Sequence, residues 1–159
     1  MSTVTFYVIP ELIYPTRAME LMKGLSSAHK KVLYVSLFKR FAEIESGLGN
    51  SANIMIVSPE GPSTNKQFFP LEEACSLARL SEVMDALLKR KDFNVVFFDS
   101  FSDLNVLNGL YVCKKFFFYL KSRLALQKID FVAALKDNES SSRLVPLIRE
   151  QVDHLIFEK

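Results

Sequence analysis

Apolar residues follow two rhythms along this chain, and the rhythms alternate. Short unbroken runs occur at Val4 to Ile9 (VTFYVI), Val32 to Ser36 (VLYVS), Ile54 to Ser58 (IMIVS), Asn94 to Phe98 (NVVFF), Asp130 to Leu135 (DFVAAL) and His154 to Phe157 (HLIF). β-branched and aromatic runs of this kind predict strands, and the four consecutive apolar residues Val95 to Phe98 predict one buried on both faces, as in a parallel sheet covered by helices. Between them the apolar positions recur every three or four residues. Pro15 to His29 reads as a helix with Ala18, Leu21, Met22 and Leu25 as its stripe, and Pro15 suits its opening turn. A short helix at Phe41 to Leu48 ends at Gly47 and Gly49, and a long one at Leu71 to Arg90 carries Ala74, Leu77, Leu80, Met84, Leu87 and Leu88 on one face. Helices are also predicted at Val106 to Gln127 and Ser142 to Gln151. Pro59 to Pro70 holds three of the six prolines and reads as a loop.

Strands that alternate with helices predict an α/β fold with a mainly parallel sheet, right-handed crossovers and helices on both faces. No repeat or linker divides residues 1 to 159, so one domain with a sizeable core is expected. The net charge of +2 is too small to imply nucleic acid or an anionic membrane, and the basic residues are scattered in ones to threes. Cys75 and Cys113 fall in helical patterns without metal-ligand spacing, and only His29 and His154 accompany them. Both thiols are read as small core residues in a reducing compartment, with no metal site. No stretch reaches the roughly 18 to 20 apolar residues of a membrane span, and the N-terminus lacks a signal-peptide pattern. A cytoplasmic protein without a membrane partner is expected.

The stretch Asn94 to Leu104 (NVVFFDSFSDL) ends its apolar run in Asp99. An acid at the carboxyl end of a parallel strand lies where open α/β sheets bind ligands, and it can hold Mg²⁺ beside a nucleotide phosphate. The same acid can instead cap the following turn. In this respect Asn94 to Leu104 is similar to the Walker B strand of RecA-type ATPases. Lys31 to Leu37 (KVLYVSL) is similar to that family's second strand, Ser76 to Leu88 to the helix before Walker B, and Val152 to Phe157 (VDHLIF) to a late strand. In their order the chain resembles the RecA/KaiC-type branch of the P-loop ATPases over nearly its whole length. The resemblance implies a RecA-like (P-loop NTPase-type) sheet sandwiched by helices, with the Asp99 strand central and the Val4 strand close to it.

The residues that such chemistry requires are replaced. A phosphate loop needs glycines that let consecutive N–H groups turn inward, a lysine and a Ser or Thr. The corresponding turn is Ile9 to Arg17 (IPELIYPTR), and the first glycine of the chain is Gly24. Pro10 and Pro15 take the spacing of the two motif glycines but carry no N–H. Leu12, Ile13 and Tyr14 add bulk and Glu11 adds a negative charge. Thr16 and Arg17 are either a shifted remnant of the Lys-Thr pair, with Arg17 meeting an anion, or solvated side chains. Where the family places a water-orienting glutamate after the second strand, the chain reads Ser36 to Arg40 (SLFKR). Ala133 to Lys136 (AALK) likewise lacks a small polar sensor. Ser100, Ser102 and Asp103 have no histidine partner for nucleophilic catalysis.

The implied protein is a degenerate, archaeal-type RecA-like pseudo-ATPase that lacks Walker A and needs no cofactor. Asp99 then either accepts structural hydrogen bonds from Ser100, Ser102 or the Pro15 helix start, or forms with Thr16 and Arg17 a residual nucleotide site. Function is expected on the surface, through association with itself or with an active RecA-like relative. The Val106 to Gln127 helix is apolar on more than one side. Val106, Leu110, Cys113, Phe117, Leu120 and Leu124 form a core stripe, while Tyr111, Phe118, Tyr119 and Leu126 point elsewhere and are the candidate interface, rimmed by Lys114, Lys115, Lys121 and Ser122. Two other classes are a nucleotide sensor or ATPase with an altered loop, and a nucleic-acid-binding recombinase relative. The loops Asp99 to Asn105 and Lys136 to Ser142 are acidic to neutral, which argues against nucleic acid.

Overall fold

The structure, a computed structural model, describes residues 2–28, 31–37, 39, 41–48, 53–59, 68–71, 76–90, 92–99 and 101–159. Its strands are β1 (Val4–Pro10), β2 (Val32–Ser36), β3 (Ile54–Pro59), β4 (Phe68–Leu71), β5 (Val95–Asp99), β6 (Asp130–Asp137) and β7 (His154–Phe157). The helices are α1 (Tyr14–Ser27), α2 (Phe41–Leu48), α3 (Leu77–Leu88), α4 (Asp103–Asn108), α5 (Leu110–Leu126) and α6 (Glu139–Ile148). All seven strands pair in parallel in the order β4-β3-β2-β5-β6-β1-β7. This is the α/β fold with a parallel sheet sandwiched by helices that the pattern predicts, and it is consistent with the RecA-like sheet that the resemblance implies. β5 is central and entirely buried, and β6 separates it from β1.

The connections explain the layers. β1 to β2 and β2 to β3 step one way across the sheet, while β4 to β5, β5 to β6 and β6 to β7 step the other way. Right-handed crossovers therefore put α1 and α2 on one face and α3, α4, α5 and α6 on the other. The second face is built on phenylalanine. Phe6 of β1 meets Phe101 and Phe117 edge-on with ring centroids 5.5 and 5.3 Å apart, and Phe98 of β5 meets Phe101 at 5.1 Å. Edge-to-face contact sets positive ring edges against negative faces and adds to the stabilisation from burial. Cys113 is buried in this layer, and burial pushes its thiol up to about 11. Cys75 and His29 lie outside the described residues.

Four boundaries depart from the pattern, each for a local reason. Phe68–Leu71 is an edge strand paired with β3, where Pro70 is tolerated, rather than the end of a loop. The α3 helix starts at Leu77 instead of Leu71, because the Ser76 hydroxyl accepts the Arg79 N–H and caps it. The Asn138 side chain likewise accepts the Ser141 N–H and starts α6 at Glu139. The predicted Val106 to Gln127 helix is two helices. Gly109 between them has φ 85, a left-handed conformation that glycine adopts without a Cβ clash. The break removes Val106 from the core stripe and leaves it 73% exposed, while Cys113, Phe117, Leu120 and Leu124 stay buried.

Candidate functional site

Asp99 is the last residue of β5, and its side chain is inaccessible to solvent. Two strand ends and a helix start deliver its partners. β2 lies beside β5 with Ser36 opposite Asp99 and Tyr34 opposite Phe97, so Tyr34 shares the face of Asp99 one step back along the sheet. Its hydroxyl donates to Asp99 Oδ2 at 2.7 Å. Tyr14 opens α1 and donates its hydroxyl to Asp99 Oδ1 at 2.5 Å. Lys39, three residues beyond β2, brings Nζ to 3.1 Å from Oδ2. Burial, reinforced by the Asp99 charge, pushes the Tyr34 hydroxyl well above its ordinary pKa, which keeps it a donor.

Tyr14 and Lys39 also line a pocket of about 430 Å³ with Pro15, Asp103, Val106, Leu107 and Lys136. Lys136 Nζ lies 5.6 Å from the centre of the Tyr14 ring and 3.2 Å from Asp103 Oδ2. The pocket opens at the carboxyl ends of the strands, where crossovers to opposite faces part. Ligands enter open α/β sheets at that place. Asn105 Nδ2 reaches Ser140 O and Oγ at 3.1 and 3.0 Å, so the loops after β5 and β6 are tied to each other.

The turn that would hold a phosphate has another shape. After Pro10, Glu11–Ile13 form a 3₁₀ turn that runs directly into α1. Among the described residues only Lys128 and Gly109 have positive φ, so no position from Ile9 to Arg17 adopts the left-handed conformation of an anion nest. Leu12 and Ile13 do not fill the turn as expected: they are 95% and 40% exposed, and Tyr14 alone turns inward. With both Asp99 oxygens engaged by hydroxyl and ammonium groups, the residues present do not fit a phosphate with its Mg²⁺. Among the described residues no group of three or more His, Cys, Asp or Glu side chains forms a metal-holding cluster.

The three residues of the expected remnant site are not brought together. Thr16 is exposed, and Arg17 points towards β7, donating to Glu158 at 2.9 and 3.0 Å and to Glu20 at 3.2 Å. The hydrogen bond to Glu158 is the largest cause of the raised Arg17 pKa. Ser102 turns its hydroxyl to the Lys136 N–H, and Ser100 and Phe38 lie outside the described residues. The expected interface residues also divide. Tyr111 is 70% and Leu126 80% exposed, but at 1.5 Å per helical residue they are about 22 Å apart along α5. Phe118 is half-buried against the core with Lys114 Nζ 5.7 Å from its ring centre. Tyr119 is half-buried, and desolvation followed by a hydrogen bond with Asp85 raises its pKa.

Nothing local in the sequence marks Tyr14, Tyr34 and Lys39 as partners of Asp99. The available signal is Tyr34, a hydroxyl inside the otherwise apolar run Val32 to Val35, since a buried tyrosine needs a polar partner. Compared with known proteins, the chain matches no protein-family model and no curated protein. No helix among the described residues is long and apolar enough to cross a membrane.

Proposed function

We propose that this chain is a RecA-like pseudo-ATPase, a domain that does not hydrolyse nucleotide and acts through association with protein. The observation that carries the reading is that Tyr14, at the start of α1, donates its hydroxyl to Asp99 at the end of β5, the carboxylate that would otherwise be available to a metal. A carboxylate that already accepts two hydroxyls and faces an ammonium has little lone-pair capacity left for a metal. A right-handed turn containing two prolines offers few inward N–H groups to a phosphate. Loss of chemistry at the crevice leaves the surface to carry the role, and exposed apolar side chains around its mouth support protein contact.

The test is calorimetric titration of the purified protein with MgATP and MgGTP to about 1 mM, where a nest-free turn should give no saturable heat, with phosphate release followed in parallel. Turnover abolished by Asp99→Ala would overturn the proposal. The 430 Å³ pocket supports a second reading, a nucleotide sensor with an altered loop. Saturable binding without turnover would favour that one.

A further inference from the structure

Among the described residues, most of the large exposed apolar side chains lie at one end of the molecule. Leu12 and Ile13 lie in the turn after β1, Val106 and Leu107 on α4, and Tyr111 and Val112 in the first turn of α5. All of these segments follow the carboxyl ends of β1 and β5. Their exposures are 95%, 40%, 73%, 55%, 70% and 47%. At ordinary residue sizes these six expose on the order of 600 Å² in all, backbone and polar atoms included. A stable interface takes about 800 Å² from each partner, so six residues already supply most of one side.

The patch carries both a knob and a hole. Leu12 stands almost wholly in solvent, while two to three residues further on Tyr14 and Pro15 line the 430 Å³ pocket with Val106 and Leu107. It also carries both signs of charge. Exposed Glu11 flanks the knob, and exposed Lys115 lies one turn beyond Tyr111 on α5. A two-fold contact requires both halves of each pairing on one surface, because residue i of one copy meets residue j of the other and j meets i. From area and from this self-complementarity, we infer that the occupant of the crevice mouth is a second copy of this chain. The two copies form a two-fold dimer in which each Leu12 enters the other's pocket between Pro15, Val106 and Leu107, with Glu11 approaching Lys115 of the second copy. This rests on the reading that the crevice serves protein association, and it names the partner.

Sedimentation equilibrium from about 1 to 200 µM, a range that spans weak to moderate homodimers, should give a two-chain mass for the wild type. Leu12→Asp and, independently, Val106→Asp should raise the dissociation constant about 30-fold or more, the scale of a central anchor. Both side chains are largely solvent-exposed in the single chain, so unchanged far-UV circular dichroism and melting temperature are expected and separate lost contact from lost fold. Leu126→Asp, at the far end of α5, should leave the mass unchanged. Mixing a Leu12→Cys chain with a Leu107→Cys chain under mild oxidation should yield a covalent heterodimer that Leu12→Cys with Leu126→Cys does not. A monomeric wild type at the highest concentration, or a dimer indifferent to Leu12→Asp, overturns the proposal. MgATP turnover would instead defeat the pseudo-ATPase reading, so the two failures are read by different measurements.

Discussion

The two faces of β5 are built on different physics. On one side Phe98 joins Phe6, Phe101, Phe116, Phe117 and Phe131 in a layer of edge-on, tilted and stacked rings. On the other, Phe97 packs against Tyr34 at 5.6 Å, and the next residue on that side is Asp99 with its two tyrosine hydroxyls and Lys39. The aromatic layer is held by contact area, which is non-directional. The polar cluster is held by a few directed bonds that fix where Tyr14 lies at the wall of the pocket. A buried carboxylate costs several kcal/mol to desolvate, and its retention here points to specificity of arrangement rather than to bulk stability.

The sharpest division between the faces should come from deleting a ring. Phe117 is fully buried and touches Phe6, Phe101, Phe118 and Phe131, so Phe117→Ala should cost about 3 to 5 kcal/mol in urea unfolding. A loss below about 1 kcal/mol would show that the layer repacks and is not tightly filled. Asp99→Ala should cost less, about 1 to 3 kcal/mol, because it strands the buried Tyr34 hydroxyl, while Tyr14 keeps its 3.4 Å bond to the Ala134 carbonyl and Lys39 can turn to water. A variant as stable as the wild type would remove the cluster from any structural role.

The smallest effect is expected at Tyr34→Phe, about 1 kcal/mol near neutral pH, with a signature in pH. The Tyr34 pKa is raised in the folded state, so its contribution is fully present below the ordinary value of 10.0 and is lost as pH rises above it. The unfolded chain releases that proton first. The wild type should therefore lose stability faster than Tyr34→Phe above about pH 10, measured as the difference between their unfolding curves. Parallel curves would place the Tyr34 hydroxyl in an ordinary solvated setting.

Much of this arrangement was legible in the sequence. The run Val95 to Phe98 marked a doubly buried strand because no polar residue interrupts it, and the alternation of such runs with helical stripes implied parallel pairing. The prolines at 10 and 15 and the absence of glycine before Gly24 implied a turn without an anion nest, and the backbone from Ile9 to Arg17 has none. Gly109 is equally visible, but helical periodicity continues across it and only its φ of 85 divides α4 from α5. The strand Phe68–Leu71 was hidden because its proline reads as a breaker until the strand is known to lie at an edge.

What the sequence determined by itself is therefore periodic or local: where most of the strands and helices lie, that the sheet is parallel, and that the stretch Ile9 to Arg17 carries two prolines and no glycine. Only the tertiary structure decided which side chains meet. Tyr14, Tyr34 and Asp99 lie 85 and 65 residues apart in their pairings, and no local pattern encodes that a helix start and two strand ends converge on one carboxylate. Exposure was decided in the same way. Whether Leu12, Val106 or Phe118 faces water depends on neighbours that crossovers bring in from distant parts of the chain, and hydropathy at a single position carries no record of them.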